Sequence, residues 1–361
     1  MLAAISAWKW KTNSPKESLI LPKPGHQNLL VHHGQLAGEP AIAIPDGLFL
    51  GSLGTATGEA AAVGNALRLH CQVPIPCLGG EPYAQQAWFV DGASDTGTSM
   101  VQDERGVTIA HTDDFVFATI TSDQGALELQ SRLVYEALLS RLRQLNKPHL
   151  LRLWNYVPRI NEFDGGIERY QLFNVGRRQA FDSMGYSVGD GAPAACALGT
   201  RGAALIVAAL ASKHPVIAIE NPRQVSAYHY PRQYGSHPPI FSRAAWLAQK
   251  SGPDLLFVSG TASIVGHRTL HAGNVRAQVQ ESVTNIEAVL HGANQRAGAR
   301  LWTLGGLQGR VYIRHTADFP LIKAYLQTRD MTQFGFVQAD ICRSDLLLEI
   351  EAEGQTFCAH Q

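Results

Sequence analysis

Hydrophobic residues recur at helical spacing in two long stretches of the chain, residues 127–145 and 275–294. In the second stretch the apolar positions share one helix face; they are Val279, Val283, Ile286, Val289 and Leu290. Two shorter segments, ERYQLFNVGRRQAF (168–181) and PLIKAYLQTRD (320–330), are also predicted to be helices. The pattern therefore predicts one long and one short helix in each half of the chain.

Strand candidates surround these helices in the same order twice. Each long helix is followed by a strand and a polar turn, LLRLWNYVPRINEF ending at Phe163 and GRVYIRHTADF ending at Phe319. Each short helix is followed by two apolar runs that we interpret as a hairpin. The predicted hairpins are PAACALGT with AALIVAALA, turning at Arg201 and Gly202, and FGFVQADI with LLLEIEA, turning at CRSD.

This repeated order predicts a duplicated unit rather than a solenoid of short repeats. The fold class that follows is α+β, with two tandem units that are each a mainly antiparallel sheet packed by helices on one face. The change from one unit to the next falls near residues 220–224. We therefore expect two domains, at residues 1–222 and 223–361, with a ligand cleft between them.

A carboxylate stands inside the apolar run LLLEIEA near the end of the chain. Period-2 alternation divides the run between two strand faces; Leu346, Leu348, Ile350 and Ala352 share one, and Leu347, Glu349 and Glu351 share the other. On this stretch alone, the simpler interpretation is that the acids face water. Burying Glu349 would cost several kcal/mol unless the carboxyl group were paired or protonated.

Composition limits the kinds of partner. The chain has 361 residues, is 45% hydrophobic, and carries 30 basic and 30 acidic residues. The charges balance, so there is no excess of basic residues that would indicate nucleic-acid binding. No apolar run is long enough to span a membrane. A small-molecule substrate is therefore favoured. The 5 cysteines lack any CxxC spacing, and residues 1–16 lack the apolar core of a signal peptide. Reduced thiols in a cytoplasmic protein are the expectation.

Several long segments resemble known families. Residues 239–353 resemble RidA (YjgF) proteins from end to end. The whole chain more closely resembles the chorismatase family, whose members join a divergent RidA-like half to a clearer one. The segments that carry this resemblance are NYVPRINEF, ERYQLFNVGRRQAF, NPRQVSAYHYP, PIFSRA, SGTASIVGH and CRSDLLLEIEA. Ordinary RidA proteins hold an imine carboxylate with an arginine, but Phe334 occupies that position here. A plain imine deaminase is therefore disfavoured.

The resemblance implies a reaction on chorismate that begins when a general acid protonates the methylene carbon of its enol ether. Glu349 matches the family's acid, which would need to be buried to stay protonated near neutral pH. Cys342 and Gly260 match the residues that mark the type forming 3-hydroxybenzoate and pyruvate through an arene oxide. If the predicted hairpin is symmetric, Cys342 also faces Glu349 across the ladder. A cysteine in such a place is otherwise an ordinary core residue.

Chorismate carries two carboxylates, so the resemblance also implies cationic anchors. Arg177 and Arg243 rank first because they lie in family-like segments. The further candidates for substrate binding are Arg169, Tyr170, Tyr228 and Thr261. Any one of these arginines could instead be a solvated surface charge.

No metal and no cofactor is expected, and both a monomer and a trimer remain possible. Two alternatives stay open. One is a chorismatase that gives mixed 3- and 4-hydroxybenzoate or a dihydroxycyclohexadiene carboxylate. The other is a non-catalytic RidA-like protein that binds a metabolite.

Overall fold

The computed structural model describes residues 27–33, 47–55, 69–91, 101–186, 189 and 191–356. The segment 1–16 and Cys358, on which two of the expectations rest, lie outside these residues. Within the described residues the helices are α1 (Leu127–Gln144), α2 (Arg169–Ser183), α3 (Val275–Ala297) and α4 (Phe319–Gln327). All four coincide with the helices that the hydrophobic pattern predicts.

The described strands are, in chain order, β1 (Asn28–His33), β2 (Gly47–Thr55), β3 (His70–Val73), β4 (Cys77–Gly79), β5 (Gln86–Asp91), β6 (Val101–Gln102), β7 (Thr108–His111), β8 (Phe115–Ser122), β9 (His149–Pro158), β10 (Phe163–Asp164), β11 (Ile167–Glu168), β12 (Ala194–Thr200), β13 (Leu205–Ser212), β14 (Ile217–Ile219), β15 (Ala244–Leu247), β16 (Leu255–Thr261), β17 (Ile264–Val265), β18 (Arg268–Thr269), β19 (Leu307–Ile313), β20 (Gln333–Gln338), β21 (Asp340–Ile341) and β22 (Leu348–Gln355). The two-stranded pairs β10-β11 and β17-β18 are short ribbons, and β1-β5-β2-β3 form a sheet of their own.

Two larger sheets share one topology, as far as the described strands go. Their orders are β6-β7-β8-β13-β9-β12-β21 and β14-β15-β16-β22-β19-β20-β4. In each sheet a long helix follows the third strand of the order, and a shorter helix joins the parallel pair, β9 with β12 and β19 with β20. The predicted duplication is therefore confirmed, and the fold is α+β.

The two predicted hairpins are wrong. Strands β12 and β13 lie on opposite sides of β9, and strands β20 and β22 lie on opposite sides of β19. In each sheet a helix connects two parallel strands, β9 with β12 and β19 with β20. The next strand, β13 or β22, then pairs with the opposite edge of the first strand of that pair. Such a step covers about 10 Å, two strand spacings. Even the short link 201–204 can span this distance when it is extended, so a short link does not require a hairpin.

The two sheets stack face to face with helices on the outside. The core between the sheets contains side chains from both and from the β1-β5-β2-β3 sheet; examples are Trp154, Cys196, Phe257, Tyr312 and Trp88. Helices α1 and α2 cover the outer face of the first sheet, and α3 and α4 cover that of the second. This arrangement buries both faces of each sheet.

Each of the larger sheets ends in a strand from the other half of the chain. Strand β4 pairs with β20 in the second sheet, and β21 pairs with β12 in the first. Strand β14 also joins the second sheet although it precedes residue 222. The division into residues 1–222 and 223–361 stays a prediction.

Among the described residues, the helices are too short or too polar to cross a bilayer.

Candidate active site

A cavity lies where the two sheets meet, beside the ends of β12, β16 and β22. It encloses about 930 Å³ of empty space, part of it open to solvent. Both halves of the chain contribute to its wall. The described lining residues are Glu168, Tyr170, Gln171, Arg177, Ala195, Cys196, Ala197, Gln224, Tyr230, Gln233, Tyr234, Pro239, Phe241, Arg243, Gly260, Ala262, Ile264, Cys342, Arg343 and Glu349. Six predicted site residues come together here; they are Glu349, Cys342, Gly260, Arg177, Arg243 and Tyr170.

Glu349 is buried at the wall of this cavity. It is the second residue of β22 and only 3% exposed, so the water-facing interpretation of its strand is wrong. Burial, together with the negative charge of Glu351, raises the pKa of Glu349 to about 8, although Arg152 opposes the shift. A carboxyl group with this pKa is mainly protonated at neutral pH and is able to donate a proton.

Cys342 lies beside Glu349, but not across a ladder. Glu349 is opposite Tyr312 of β19, whereas Cys342 follows the end of β21. The symmetric hairpin pairing is therefore wrong, although the Cys342 Sγ atom is 3.9 Å from Glu349 Oε2. Burial, and then the charge of Glu349, raise the pKa of Cys342 to about 12. The sulfur is therefore present as a thiol, which donates to the carboxyl group.

Gly260 provides the space that the Glu349 carboxyl group occupies. It lies in a β-bulge of β16, where the register with β22 shifts between Val258 and Thr261. A Cβ atom at Gly260 would overlap Glu349 Oε1 and would stand 2.6 Å from Glu349 Cδ and 3.1 Å from Cys196 Cβ. Any larger residue would have to displace the acid, so a bulge with glycine fits this position.

Arg177 on α2 and Arg243, directly before β15, both line the cavity. Arg177 Nη2 donates to the carbonyl of Ile240 at 2.7 Å, and Arg243 Nη2 donates to Val225 O at 2.8 Å and to Tyr230 Oη at 2.9 Å. The Nε atoms of both arginines are buried without a hydrogen-bond partner among the described residues. Neither guanidinium group forms a short ion pair with a carboxylate of the described residues, and buried groups of this kind are suited to an anionic ligand.

Arg343 is a third cation that sequence reasoning missed. It directly follows Cys342, and that adjacency was the available signal. Its guanidinium carbon lies 4.0 Å from the centre of the Tyr234 ring and 5.4 Å from that of Tyr230. Arg343 Nη1 donates to His267 O at 2.9 Å, while Nη2 is buried with no partner in the described part of the chain.

Tyr170 lies on α2 at the cavity wall, and burial raises the pKa of its hydroxyl group. The other three predicted binding residues do not belong to the described lining. Arg169 donates to Pro158 O at 2.8 Å and pairs with Asp164; Tyr228 packs against His229; and Thr261 donates to Ser259 O at 2.7 Å. Their role in binding stays a prediction.

No group of three or more His, Cys, Asp or Glu side chains within the described ranges is placed to hold a metal ion. The cavity lining offers the protonated carboxylic acid of Glu349, a second carboxyl group on Glu168, the thiols of Cys342 and Cys196, and three guanidinium groups, together with apolar side chains. This defines a site for acid-catalysed change of a small, multiply anionic molecule.

Comparison with known proteins agrees with this class. The family model described as Chorismatase FkbO/Hyg5-like, N-terminal, matches residues 87–211. A 3-hydroxybenzoate synthase from Streptomyces hygroscopicus is 34% identical over 287 residues, which cover 75% of this chain and 81% of that protein. A chorismatase from Streptomyces rapamycinicus is 36% identical over 280 residues, which cover 74% and 80%.

A solved chorismatase crystal structure superposes with a TM-score of 0.77 at 28% identity, and the match covers 91% of this chain and 98% of the other. The chain belongs to the chorismatase family, and the resemblance inferred from its sequence is confirmed.

Proposed function

We propose that this protein is a chorismatase that converts chorismate into 3-hydroxybenzoate and pyruvate. The observation that carries the proposal is the protonated Glu349 carboxyl group, which meets Cys342 and Gly260 in a cavity lined by three arginines. The relative named 3-hydroxybenzoate synthase, at 34% identity, supports the same product. The two products together contain every atom of chorismate, so the reaction needs no second substrate.

Glu349 begins the reaction as the general acid. It transfers its proton to the terminal methylene carbon of the enolpyruvyl group, and an oxocarbenium ion forms at the ether carbon. An ordinary glutamate, with a pKa of about 4.3, would be almost fully ionised at neutral pH. The buried position of Glu349 removes that difficulty, since its pKa of about 8 keeps the proton available.

The arginines hold the two carboxylates of the substrate. Arg177, Arg243 and Arg343 each leave a buried N–H group without a partner among the described residues, and all three line the cavity. Planar guanidinium groups bind carboxylates through paired hydrogen bonds, which fix orientation as well as charge. A dianion bound in this way is held with its enol ether close to the acid.

Cys342 and Gly260 favour the internal route over hydrolysis. On this route the 4-hydroxyl group gives its proton to the Glu349 carboxylate as its oxygen attacks C3, the C3–O bond to the enolpyruvyl group breaks, and pyruvate leaves. The C4–O bond of the resulting arene oxide then breaks, and loss of the C3 proton gives 3-hydroxybenzoate. The neutral Cys342 thiol, 3.9 Å from Glu349, can assist the opening of the oxide as a hydrogen donor. Gly260 leaves the carboxyl group its place beside the substrate.

The experiment is incubation of the purified protein with chorismate, without added metal or cofactor, followed by pyruvate assay and chromatography of the aromatic products. Pyruvate with 3-hydroxybenzoate is the expected result. Pyruvate with 4-hydroxybenzoate or a non-aromatic diol would contradict the product assignment. The absence of pyruvate would favour a metabolite-binding protein.

Replacement of the acid is the sharper test. Glu349→Gln removes the transferable proton and nearly preserves the shape of the side chain, so we expect turnover to fall by at least about 100-fold. The matched control is Glu287→Gln on the outer helix α3, where the carboxylate pairs with Arg329. Near-normal turnover in Glu349→Gln would contradict the role of Glu349.

A cytoplasmic location, and a monomer or trimer as the functional form, remain predictions from the sequence.

A further inference from the structure

A second buried carboxylate stands next to the acid but outside the described lining of the cavity. Glu351 is two residues after Glu349 on the same face of β22 and is only 1% exposed. Nothing in the proposed proton transfer uses it directly. A buried anion is costly unless it has good partners, so its partners indicate what it does.

Glu351 is clamped by groups from both sheets. Arg310 of β19 donates to Glu351 Oε1 from Nε at 2.8 Å, and Tyr312 donates to the same oxygen at 2.8 Å. Arg152, from β9 in the first sheet, binds Glu351 Oε2 and also donates to Val258 O at 2.7 Å. Every contact favours the ionised form of Glu351, and the contacts come from two strands, β19 and β9.

The ion pairs between Glu351 and its arginine partners influence the electrostatic environment of Glu349. Without Glu351, the positive charge of Arg152 close to Glu349 would be left uncompensated, which would favour the ionised form of Glu349. Glu351 compensates the charge of Arg152, and its own negative charge opposes ionisation of Glu349. Although burial works against ionisation, Arg310 and Arg152 lower the pKa of Glu351 to about 2. The two carboxyl groups thus have opposite protonation states at neutral pH.

We infer that Glu351 is a positioning residue, a permanently ionised carboxylate fixed by Arg152 and Arg310 that keeps Glu349 protonated for the reaction. The inference rests on the proposed function, because it assigns Glu349 the role of acid. It also implies that the packing of the two sheets contributes to the protonation state of the acid. Arg152 comes from the first sheet and Glu349 from the second, so the state of the acid depends on how the two halves pack.

Other titratable and charged groups face Glu349 from the elements packed around it. Besides Glu351, they are Cys342 after β21, Cys196 on β12, Tyr170 on α2, Arg152 on β9, and Tyr312, the cross-strand partner on β19. Burial raises the pKa values of Cys196, Cys342 and Tyr170. These three groups are neutral near pH 7, so Glu351 and Arg152 are the charges that set the electrostatic potential at Glu349.

The test is a pair of charge changes with opposite expected effects. In Glu351→Gln the anion is lost and Glu349 gives up its proton more easily. We expect the alkaline limb of the pH profile of kcat/KM to move down by about one pH unit or more. In Arg152→Gln a cation is lost, and we expect the limb to move up. Glu287→Gln, the same change on the outer helix α3, should leave the profile where it is.

A merely structural role for Glu351 would lower activity at every pH without moving the limb, and that result would overturn the inference. Shifts in the same direction in both variants would also overturn it. If Glu351→Gln fails to fold, the pH profile of Arg152→Gln and an NMR titration of the wild-type protein still test the inference. Carbon-13 NMR of glutamate carboxyl groups in the wild type should give a titration of Glu349 near pH 8 and none of Glu351 above about pH 4.

A titration of Glu351 in the neutral range would contradict the inference whether or not any variant folds. The NMR measurement needs no substrate, so it separates the two ideas. If the wild type releases no pyruvate from chorismate, the proposed function fails while the inverted carboxyl pair still stands or falls by NMR.

Discussion

At the scale of single residues, Glu349 gains its chemistry from where its strand lies. In sequence it alternates with leucine and isoleucine and looks like a solvent-facing acid. In the folded protein both faces of β22 are covered, one by α3 and α4 and the other by the first sheet. The carboxyl group is therefore desolvated, and its protonated form has a lower free energy than its ionised form at neutral pH.

The pH dependence of turnover follows from this protonation. Glu349 is active when it carries its proton, so kcat/KM should be steady near neutrality and fall as the pH rises through about 8. A steady-state pH series with chorismate measures it. An alkaline limb at pH 5 or below would mean that the acid has an ordinary pKa. The buffer and salt controls should leave the limb in place, because the group is buried.

Substitution of Gly260 tests the space that the acid needs. In Gly260→Ala the new methyl group would overlap the Glu349 carboxyl group, which must then rotate away from the substrate. We expect turnover to fall by about tenfold or more, with KM changed less, because a misplaced acid loses orientation rather than binding. Steady-state kinetics and product analysis measure both effects.

Gly191→Ala is the matched control for Gly260→Ala. A methyl group at Gly191 would meet nothing within 4 Å, so turnover should stay normal. Equal kinetics in Gly260→Ala and the wild type would show that Glu349 does not depend on the empty space at Gly260.

At the scale of elements, the helices were predictable and the strand pairing was not. Helices α1 and α3 depend on contacts between residues three or four apart, which the sequence displays directly. Strand pairing depends on which distant strand lies alongside. The pairing of β13 with β9 and of β22 with β19 cannot be read from the local hydrophobic pattern. Two adjacent apolar runs therefore resemble a hairpin whether or not they pair.

The contact between α1 and α2 gives a prediction at this scale. Gly176 of α2 lies against the backbone of α1, where a methyl group would overlap Glu128 O and would stand 2.9 Å from Arg132 N. We expect Gly176→Ala to lower the free energy of unfolding by about 1–3 kcal/mol, because the helices must separate. Urea unfolding followed by circular dichroism measures this.

Gly292→Ala within α3 provides a control of opposite sign. Its nearest atom to the added methyl group is 3.6 Å away, at Glu220 O. Helix propensity alone should therefore stabilise this variant by about 0.5–1 kcal/mol. If both variants were stabilised, the close approach of α1 and α2 would be contradicted.

At the scale of the whole molecule, the two halves are built into one another. Strand β4 completes the second sheet, β21 extends the first, and Arg152 links the first sheet to Glu351. The core between the sheets also belongs to both halves and to the β1-β5-β2-β3 sheet. Neither half keeps its central face covered without the other.

We therefore expect the two halves to unfold together. Native-state hydrogen exchange followed by mass spectrometry should give similar opening free energies for the central strands β9 and β22, which share the buried junction. Urea transitions followed by tryptophan fluorescence and by circular dichroism should coincide. Two separated transitions, with one sheet opening well before the other, would contradict the coupling between the halves.

The candidate site was only partly predictable, because some of its residues lie in local motifs while others are brought together from distant parts of the chain. Glu349, Cys342, Gly260, Arg177 and Arg243 were predicted because each lies in a family-like segment, and all five line the cavity. Arg152 and Glu351 were not identified as partners, since β9 and β22 lie far apart in the chain. Their contact exists only because the sheets stack. Arg343 was missed although it lies in the family-like segment CRSDLLLEIEA beside Cys342, because only the fold shows that its side chain reaches the cavity.

The sequence alone determined the helices, the duplicated α+β unit, the family and six of the described lining residues of the cavity, because periodicity and local motifs reflect short-range interactions. Only the tertiary structure decided which strands pair, which faces are buried, and that Glu349 and Glu351 carry opposite protonation states. These properties depend on desolvation and on charges brought together from distant positions. A carboxyl group has no fixed pKa until its surroundings are complete.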